Sequence, residues 1–177
     1  MADVFTTQER SEIMSRIRSA NTKPEWILRS ALHRLGFRFR LRDRRLPGSP
    51  DVILPKYRTV VFVHGCFWHR HAGCKLASNP KSNSAFWEDK FRRNVERDQR
   101  NLDDLHHQGW NTSILWECQL KSEPLATIDT LVRKLRAHDR KPARYDYATE
   151  ALDPKTLLAV AEKQSAYGRR TGKVRKP

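Results

Sequence analysis

Residues 51 to 69 read Asp51-Val52-Ile53-Leu54-Pro55-Lys56-Tyr57-Arg58-Thr59-Val60-Val61-Phe62-Val63-His64-Gly65-Cys66-Phe67-Trp68-His69, and two short strands are legible in them. The first is Asp51 to Leu54. Pro55 with Tyr57 and Arg58 separates it from Thr59-Val60-Val61-Phe62-Val63, which shows no polar alternation. A continuous β-branched run of that kind describes a strand covered on both faces. A carboxylate therefore stands at the head of one strand and His64 at the end of its expected neighbour. A loop of histidines, cysteines and aromatics follows at once, over about residues 64 to 82.

Upstream, Leu46-Pro47-Gly48-Ser49-Pro50 is a turn leading into Asp51. Before it, Phe37, Phe39 and Leu41 alternate with Arg38, Arg40 and Arg42, the period of a strand with one apolar and one cationic face. Thr22 and Glu25 have capping-box spacing around Pro24, and the helix they open is expected from about Lys23 to Leu35, stopped by Gly36. Thr6 and Glu9 repeat that spacing before Ile13, Met14 and Ile17, an amphipathic first helix. Downstream, a long helix is expected from Ser84 to about His107, with Trp87, Phe91, Val95, Leu102 and Leu105 on its inward stripe and Gly109 as its stop. Trp110 to Trp116 reads as a third strand. Ser122-Glu123-Pro124 opens a further helix with Leu125, Ile128, Val132 and Leu135 on one face. Beyond Asp139 the pattern weakens to one helix over about Asp153 to Ala166 and a basic end expected to be disordered.

The 177 residues carry 35 Lys and Arg against 20 Asp and Glu, a formal net charge of +15. Residues 139–177 contribute +5 and residues 1–138 the other +10, so the body itself is basic. The natural partner is a polyanion, and nucleic acid is favoured over a membrane surface because no lipidation or amphipathic-anchor pattern accompanies the charge. A basic but unspecialised surface is the bland alternative. The longest apolar run, Leu157 to Ala161, is five residues, whereas a membrane span needs about 20. Met1 to Thr7 lacks the features of a secretory signal, so the expected compartment is the cytoplasm. Three cysteines argue against a disulfide framework and leave metal ligation, catalysis or packing.

Cys66, His71 and Cys74 form a C-x4-H-x2-C arrangement, with Cys118 the only other thiol. Three thiolates and an imidazole suit the closed tetrahedron of structural zinc; the alternative is buried thiols beside surface histidines. His69 is left over between these residues. Asp51, the only acid between Asp43 and Glu88, and the Phe62-Val63-His64 strand end can converge on a hard cation such as Mg²⁺, although an aspartate after a proline turn has a purely local explanation too. Asp98 falls on the inward stripe of the long helix and needs a partner there, either an arginine or His69. Phe67 and Trp68 in a polar loop, with Phe86 and Trp87 beside Lys90, Arg92 and Arg93, either stack on bases or fold back over a small core.

Together these residues resemble the very short patch repair (Vsr-type) DNA mismatch endonucleases. The resemblance is carried by Arg10-Ser11 with Met14 and Ile17, Thr22-x-Pro24-Glu25, Leu46 to Asp51, Phe62 to His69, Phe86-Trp87 with Lys90, Asn94-Val95-Glu96-Arg97-Asp98 and Trp116-Glu117-Cys118, in family order over about residues 8 to 138. It implies a restriction-endonuclease-like α/β fold, a central mixed sheet flanked by helices with a structural zinc site, in which Phe62-x-His64 replaces an acid-x-lysine element. It implies Mg²⁺-dependent nicking of double-stranded DNA 5′ to the thymine of a T:G mismatch. On that pattern Asp51 and the Val63 carbonyl bind Mg²⁺, His69 activates water with Asp98 behind it, His64 assists near the leaving group, and Glu25 holds water on the cation. Cys66, His71, Cys74 and Cys118 match the zinc ligands, and Phe67, Trp68 and Trp87 match the aromatics that wedge beside the mismatch.

The expected organisation is an endonuclease domain over residues 1–138, with a helical arm over about 1–22, and a basic extension over 139–177. A monomer is expected, because a T:G pair in its site lacks the two-fold symmetry a dimer would match. Mismatch-repair proteins are further candidate partners. The competing functions are a restriction-type nuclease acting on paired DNA and a zinc-stabilised DNA-binding module without catalysis. The second of these gives no use to an inward Asp98 or to Asp51 and His64 at two strand ends.

Overall fold

Val60 and Val61, adjacent in sequence, point into two different cores, and that division organises the molecule. The computed structural model describes residues 20–80 and 82–137, together with Gln8, Glu9, Glu12 and Lys155. The amphipathic first helix, the helix over 153–166 and the basic end lie outside the described residues. Three strands, β1 (Val52–Leu54), β2 (Thr59–His64) and β3 (Asn111–Trp116), form one sheet in the order β1-β2-β3. β1 pairs antiparallel with β2, the two being joined by a single 3₁₀ turn over Pro55–Tyr57, while β2 and β3 are parallel, with Thr59 opposite Asn111 and His64 opposite Trp116. A parallel pair needs a long crossover, and helix α2 (Ser84–His107) lies in that crossover.

Helix α1 (Lys23–Arg34) starts where the Thr22 and Glu25 spacing places it: the Glu25 carboxylate accepts the Thr22 N–H at 3.2 Å. Gly36, at φ 79°, follows its end in the left-handed conformation that glycine adopts without strain. Two further helices, α3 (Glu117–Ser122) and α4 (Pro124–Ala137), close the described chain. Val52, Leu54 and Val61 meet Ile27, Leu28, Leu32, Leu120, Ile128 and Leu131 on one sheet face, while Ile53, Val60 and Phe62 meet Leu105 and Leu102 of α2 on the other. A sheet covered on both faces explains why β2 carries no polar alternation. Leu28 and Leu131 are buried to within 1%, and cutting either back to alanine costs about 2–5 kcal/mol.

Two expectations need correction. The alternating run from Phe37 to Arg42 is not a full strand: a single antiparallel bridge, Arg40 to Ile53, is all it makes. Phe37 and Phe39 do turn inward, but Leu41 is 47% exposed and Arg42, at φ 46°, turns the chain out of the extended conformation. Val95 was expected on the inward stripe of α2 and is 46% exposed: it stands between Trp87 and Phe91, which pack with the loop aromatic Phe67, and Leu105, which packs on the sheet, and neither cluster covers it. Among the described residues no helix is long and apolar enough to cross a membrane.

Candidate active site and metal centre

The antiparallel register sets Asp51 against the end of β2. Its N–H donates to the Val61 carbonyl at 3.1 Å, and its Oδ2 accepts the Val63 N–H at 2.8 Å. The carboxylate is thus tied to the strand that ends in His64. The Asp51 carboxyl stands raised at about 6: burial is the main cause and the nearby charge of Glu25 adds to it, while the Val63 N–H, Arg42 and Arg29 hold it back. Glu25 is buried on α1 and both its oxygens are engaged: Oε1 accepts from Thr22 N and Oγ1, Oε2 from Asn21 N and from Arg29 at 2.5 Å.

His64 and His69 stack face to face, ring centroids 3.8 Å apart and planes 13° from parallel. His69 Nδ1 lies 2.5 Å from Asp98 Oδ2. A carboxylate only accepts, so Nδ1 carries the hydrogen and Nε2 presents its lone pair. Burial would raise the Asp98 carboxyl, but the hydrogen bond and charge of His69, with Arg97 at 3.1 Å, hold it below the usual carboxylate range. His64 is lowered to about 4, first by burial and then by the neighbouring His69, against the pull of Asp98, so it is neutral near pH 7. Sequence periodicity had left Asp98 a choice of arginine or His69, and it takes both.

Asp51, Val63, His64, His69, Asp98 and Glu25 all line one cleft of about 1380 Å³, with Trp68 on its wall and Arg42, Arg44, Lys90 and Arg97 around it. Acids, stacked imidazoles and several cations therefore face one space. Behind Trp68, Phe67 meets Trp68, Trp87 and Phe91 edge-on at 5.0, 5.5 and 5.1 Å. Trp87 is only 9% exposed, whereas Phe86 beside it is 51% exposed. Lys90 Nζ lies 5.4 Å from the Trp68 ring and 5.4 Å from that of Trp87.

Cys66, His71, Cys74 and Cys118 bring one donor atom each to within 4.8 Å of one another. His71 Nδ1 is 3.6 Å from Cys66 Sγ and 3.3 Å from Cys118 Sγ, spacings that a tetrahedron with bonds of about 2.0–2.3 Å requires. Three thiols and an imidazole, held by a loop and by α3, form a donor set that fits a structural zinc ion. The buried Cys66 thiol is pushed up to about 12, chiefly by burial.

Several residues that spacing did not single out support the site. Trp116, opposite His64 in the parallel register, stacks on His71 at 4.1 Å and meets the His64 ring edge-on at 5.4 Å, so one indole joins the metal centre to the histidine pair. Asn94, one helical turn before Asp98, donates to the Trp68 carbonyl at 3.2 Å and pins the loop to α2. Arg70 reaches the carbonyls of Ala77 and Ser78 and lies 4.4 Å from the Phe91 ring centroid. The four-residue spacing of Asn94 and Asp98 was a usable signal, and Trp116 was marked only by its place beside Glu117 and Cys118; nothing local marks Arg70.

Carboxylates and a stacked histidine pair gathered beside two strand ends, inside a strongly basic chain, are the equipment of an enzyme that hydrolyses nucleic-acid phosphodiesters. The family profile described as DNA mismatch endonuclease Vsr matches residues 2–75. The type II nicking enzyme V.NmeAIP of Neisseria meningitidis is 44% identical over 77% of this chain and 98% of its own length. The type II nicking enzyme V.XorIIP of Xanthomonas oryzae is 42% identical over 76% of this chain and 97% of its own. The DNA mismatch endonuclease Vsr of Escherichia coli K12 is 42% identical over 76% of this chain and 86% of its own. The chain belongs to the Vsr family and is a DNA endonuclease.

Proposed function

We propose that this chain nicks one strand of double-stranded DNA 5′ to the thymine of a T:G mismatch, using Mg²⁺ for catalysis and Zn²⁺ for structure. The observation that carries this reading is the hydrogen bond from His69 to Asp98 beside Asp51 in one basic cleft. A module that only bound DNA would gain nothing from that arrangement. That the Escherichia coli relative is a DNA mismatch endonuclease supports the choice of substrate.

Bound Mg²⁺ would supply positive charge against the phosphate oxygens as negative charge develops there. Asp51 Oδ1 and the Val63 carbonyl are suitable oxygen donors for it, since Oδ2 is committed to the Val63 N–H. His69 Nε2 takes a proton from the attacking water, and Asp98 fixes the tautomer and offsets the charge that His69 acquires. His64, stacked on His69, stands on the side of the leaving oxygen. Glu25 braces the cation side through Thr22 and Arg29. Zn²⁺ on Cys66, His71, Cys74 and Cys118 ties the loop to α3, which the few apolar residues of the loop could not do alone. Trp68, backed by Phe67 and Trp87, enters the base stack beside the mismatch, where imperfect pairing makes unstacking cheaper.

On this reading the mixed sheet is a reduced restriction-endonuclease-like core within a domain of residues 1–138. Its N-terminal arm covers about residues 1–22, the basic extension 139–177 adds general affinity for DNA, and one copy acts per mismatch.

The test is nicking of a T:G duplex and its T:A counterpart, with Mg²⁺ and without added divalent cation. Mg²⁺-dependent cleavage of one strand of the T:G duplex alone is the expected result. Equal nicking of both duplexes would favour a second reading, a nuclease for paired recognition sequences; the naming of two relatives as type II nicking enzymes is what keeps that reading in view.

A further inference from the structure

Four acids line the cleft, and three of them, Glu25, Asp51 and Asp98, have tasks in the proposed chemistry. The fourth is Glu117, the first residue of α3. Its Oε1 accepts from Lys121 Nζ at 2.5 Å, an i,i+4 pair whose side chains are 29% and 48% exposed. Among the described residues no hydrogen bond reaches Oε2. A Cβ on Gly65 would stand 3.7 Å from that Oε2 and 3.4 Å from Trp68 Cδ1, so the carboxylate and the indole edge converge on one glycine. An acid in the first turn of a helix is locally favourable, but that preference does not require the carboxylate to face the cleft beside Trp68.

We propose that Glu117 is a specificity-determining residue: its Oε2 accepts a hydrogen bond from the exocyclic amino group of a base in a pair flanking the mismatch. The inference rests on the reading that Trp68 enters the base stack beside that mismatch. A carboxylate repels backbone phosphates, so the groups of DNA it can favour are the donors on base edges. It only accepts, and a keto oxygen in the same place is rejected twice over: no hydrogen bond forms, and two negative oxygens face each other. In the major groove every Watson–Crick pair carries an amino group on one base and a keto oxygen on the other, so a fixed acceptor senses which way round the flanking pair is turned; guanine N2 is the amino group of the minor groove. Lys121 holds Oε1 and thereby steadies the carboxylate, and Oε2 does the reading.

The experiment is competition binding of the full chain, with zinc retained, to T:G duplexes at fixed salt without added divalent cation. The pair on each side of the mismatch is reversed in turn, C:G to G:C and A:T to T:A, and guanine there is replaced by inosine to remove its amino group. The wild type should prefer one orientation on one side by about tenfold. Glu117→Gln, whose amide both accepts and donates, should reduce that preference to about twofold or less. It should melt as the wild type does and keep the preference for T:G over T:A that the Trp68 ring supplies. Lys121→Ala, which leaves the carboxylate in place, should keep the orientation preference. Sensitivity to C:G reversal, to A:T reversal or to inosine identifies the amino group as that of cytosine, adenine or guanine. No orientation or inosine effect in the wild type, or the same effect in Glu117→Gln, would overturn the assignment of Glu117. Equal affinity of the wild type for T:G and T:A duplexes would instead overturn the mismatch reading beneath it, and that failure is read without any variant.

Discussion

His69 is clamped between a ring and a carboxylate: its face lies 3.8 Å from the face of His64, and its Nδ1 lies 2.5 Å from Asp98. Stacking fixes the ring plane, and the hydrogen bond fixes rotation within that plane and the tautomer. Two stacked imidazoles resist becoming cations together, and burial already keeps His64 neutral near pH 7. The pair is therefore arranged so that one ring accepts a proton while the other stays uncharged.

Asp98→Asn removes the charge and the tautomer control while preserving side-chain size. Single-turnover nicking of a T:G duplex should slow by about 10²- to 10⁴-fold, the usual share of a positioned general base. DNA affinity should hardly change, because Asp98 faces His69 and Arg97. A rate near that of the wild type would remove His69 as the base.

Asp51→Asn should abolish nicking and, without added divalent cation, stabilise the protein at neutral pH. Burial raises Asp51 from 3.8 to about 6 in the folded chain. The folded state then binds the proton more tightly than the unfolded one, so the contribution of Asp51 to stability is fully present below about pH 4 and is lost as pH rises through about 6. His64, lowered to about 4, runs the other way, losing its contribution as pH falls from 6.5 towards 4. The difference between wild type and Asp51→Asn isolates the aspartate: the variant should melt higher at pH 7.5, and the gap should close near pH 4. Mg²⁺ should raise the melting temperature of the wild type only. A gap independent of pH would contradict the burial cost at Asp51.

Loss of any thiol of the metal centre should lower zinc content and melting temperature together. Structural zinc contributes on the order of 10 kcal/mol of folding free energy in small peptides. Cys118→Ser is the informative change, since Cys118 lies on α3 and ties it to the loop through His71. Metal analysis of the wild type should give one zinc per chain, and its removal should alter tryptophan fluorescence, because Trp116 stacks on His71. Purified protein without stoichiometric zinc would refute the assignment.

Removing residues 139–177, which carry +5, should weaken DNA binding generally and flatten its salt dependence without changing which mismatch is chosen. Competition between T:G and T:A duplexes at fixed salt is the measurement, and an altered preference would make the extension part of the site.

Strong local signals made much of this site legible in the sequence. The capping box of α1, the Ser84 to His107 span of α2 and the unbroken apolar run of β2 each concentrate their information in neighbouring residues. Asp98 was legible because an acid on an apolar stripe demands a partner. Helix α3 escaped notice because six residues are too few to establish a helical period and its start coincides with the end of β3. The contact of Arg42 with Asp51 closes across an irregular turn and the stacking of Trp116 on His71 joins segments far apart in the chain, and periodicity says nothing about such meetings. The Phe37 to Arg42 run misled because alternation records which residues turn inward, not whether a neighbouring strand offers hydrogen bonds.

Trp68 and Trp87 were expected to wedge together beside the mismatch, and their surroundings now separate their predicted effects. Trp87 is 9% exposed and packs among Phe67, Trp68 and Phe91, so its ring supports the cluster. Trp68 is less deeply buried, lines the cleft and has its carbonyl held by Asn94, so its ring is presented from a fixed backbone. Trp87→Ala should therefore cost about 3–5 kcal/mol of stability, as large aromatic truncations in cores do, and lower the melting temperature. Trp68→Ala should cost less stability and narrow the difference in affinity between T:G and T:A duplexes. Unstacking a base step costs a few kcal/mol and less where pairing is imperfect, so an inserted ring converts a weak step into selectivity. Cations around the cleft would preserve binding to both duplexes. If Trp68→Ala weakened both equally at constant salt, Trp68 would be a packing residue like Trp87, and selectivity would have to come from another group.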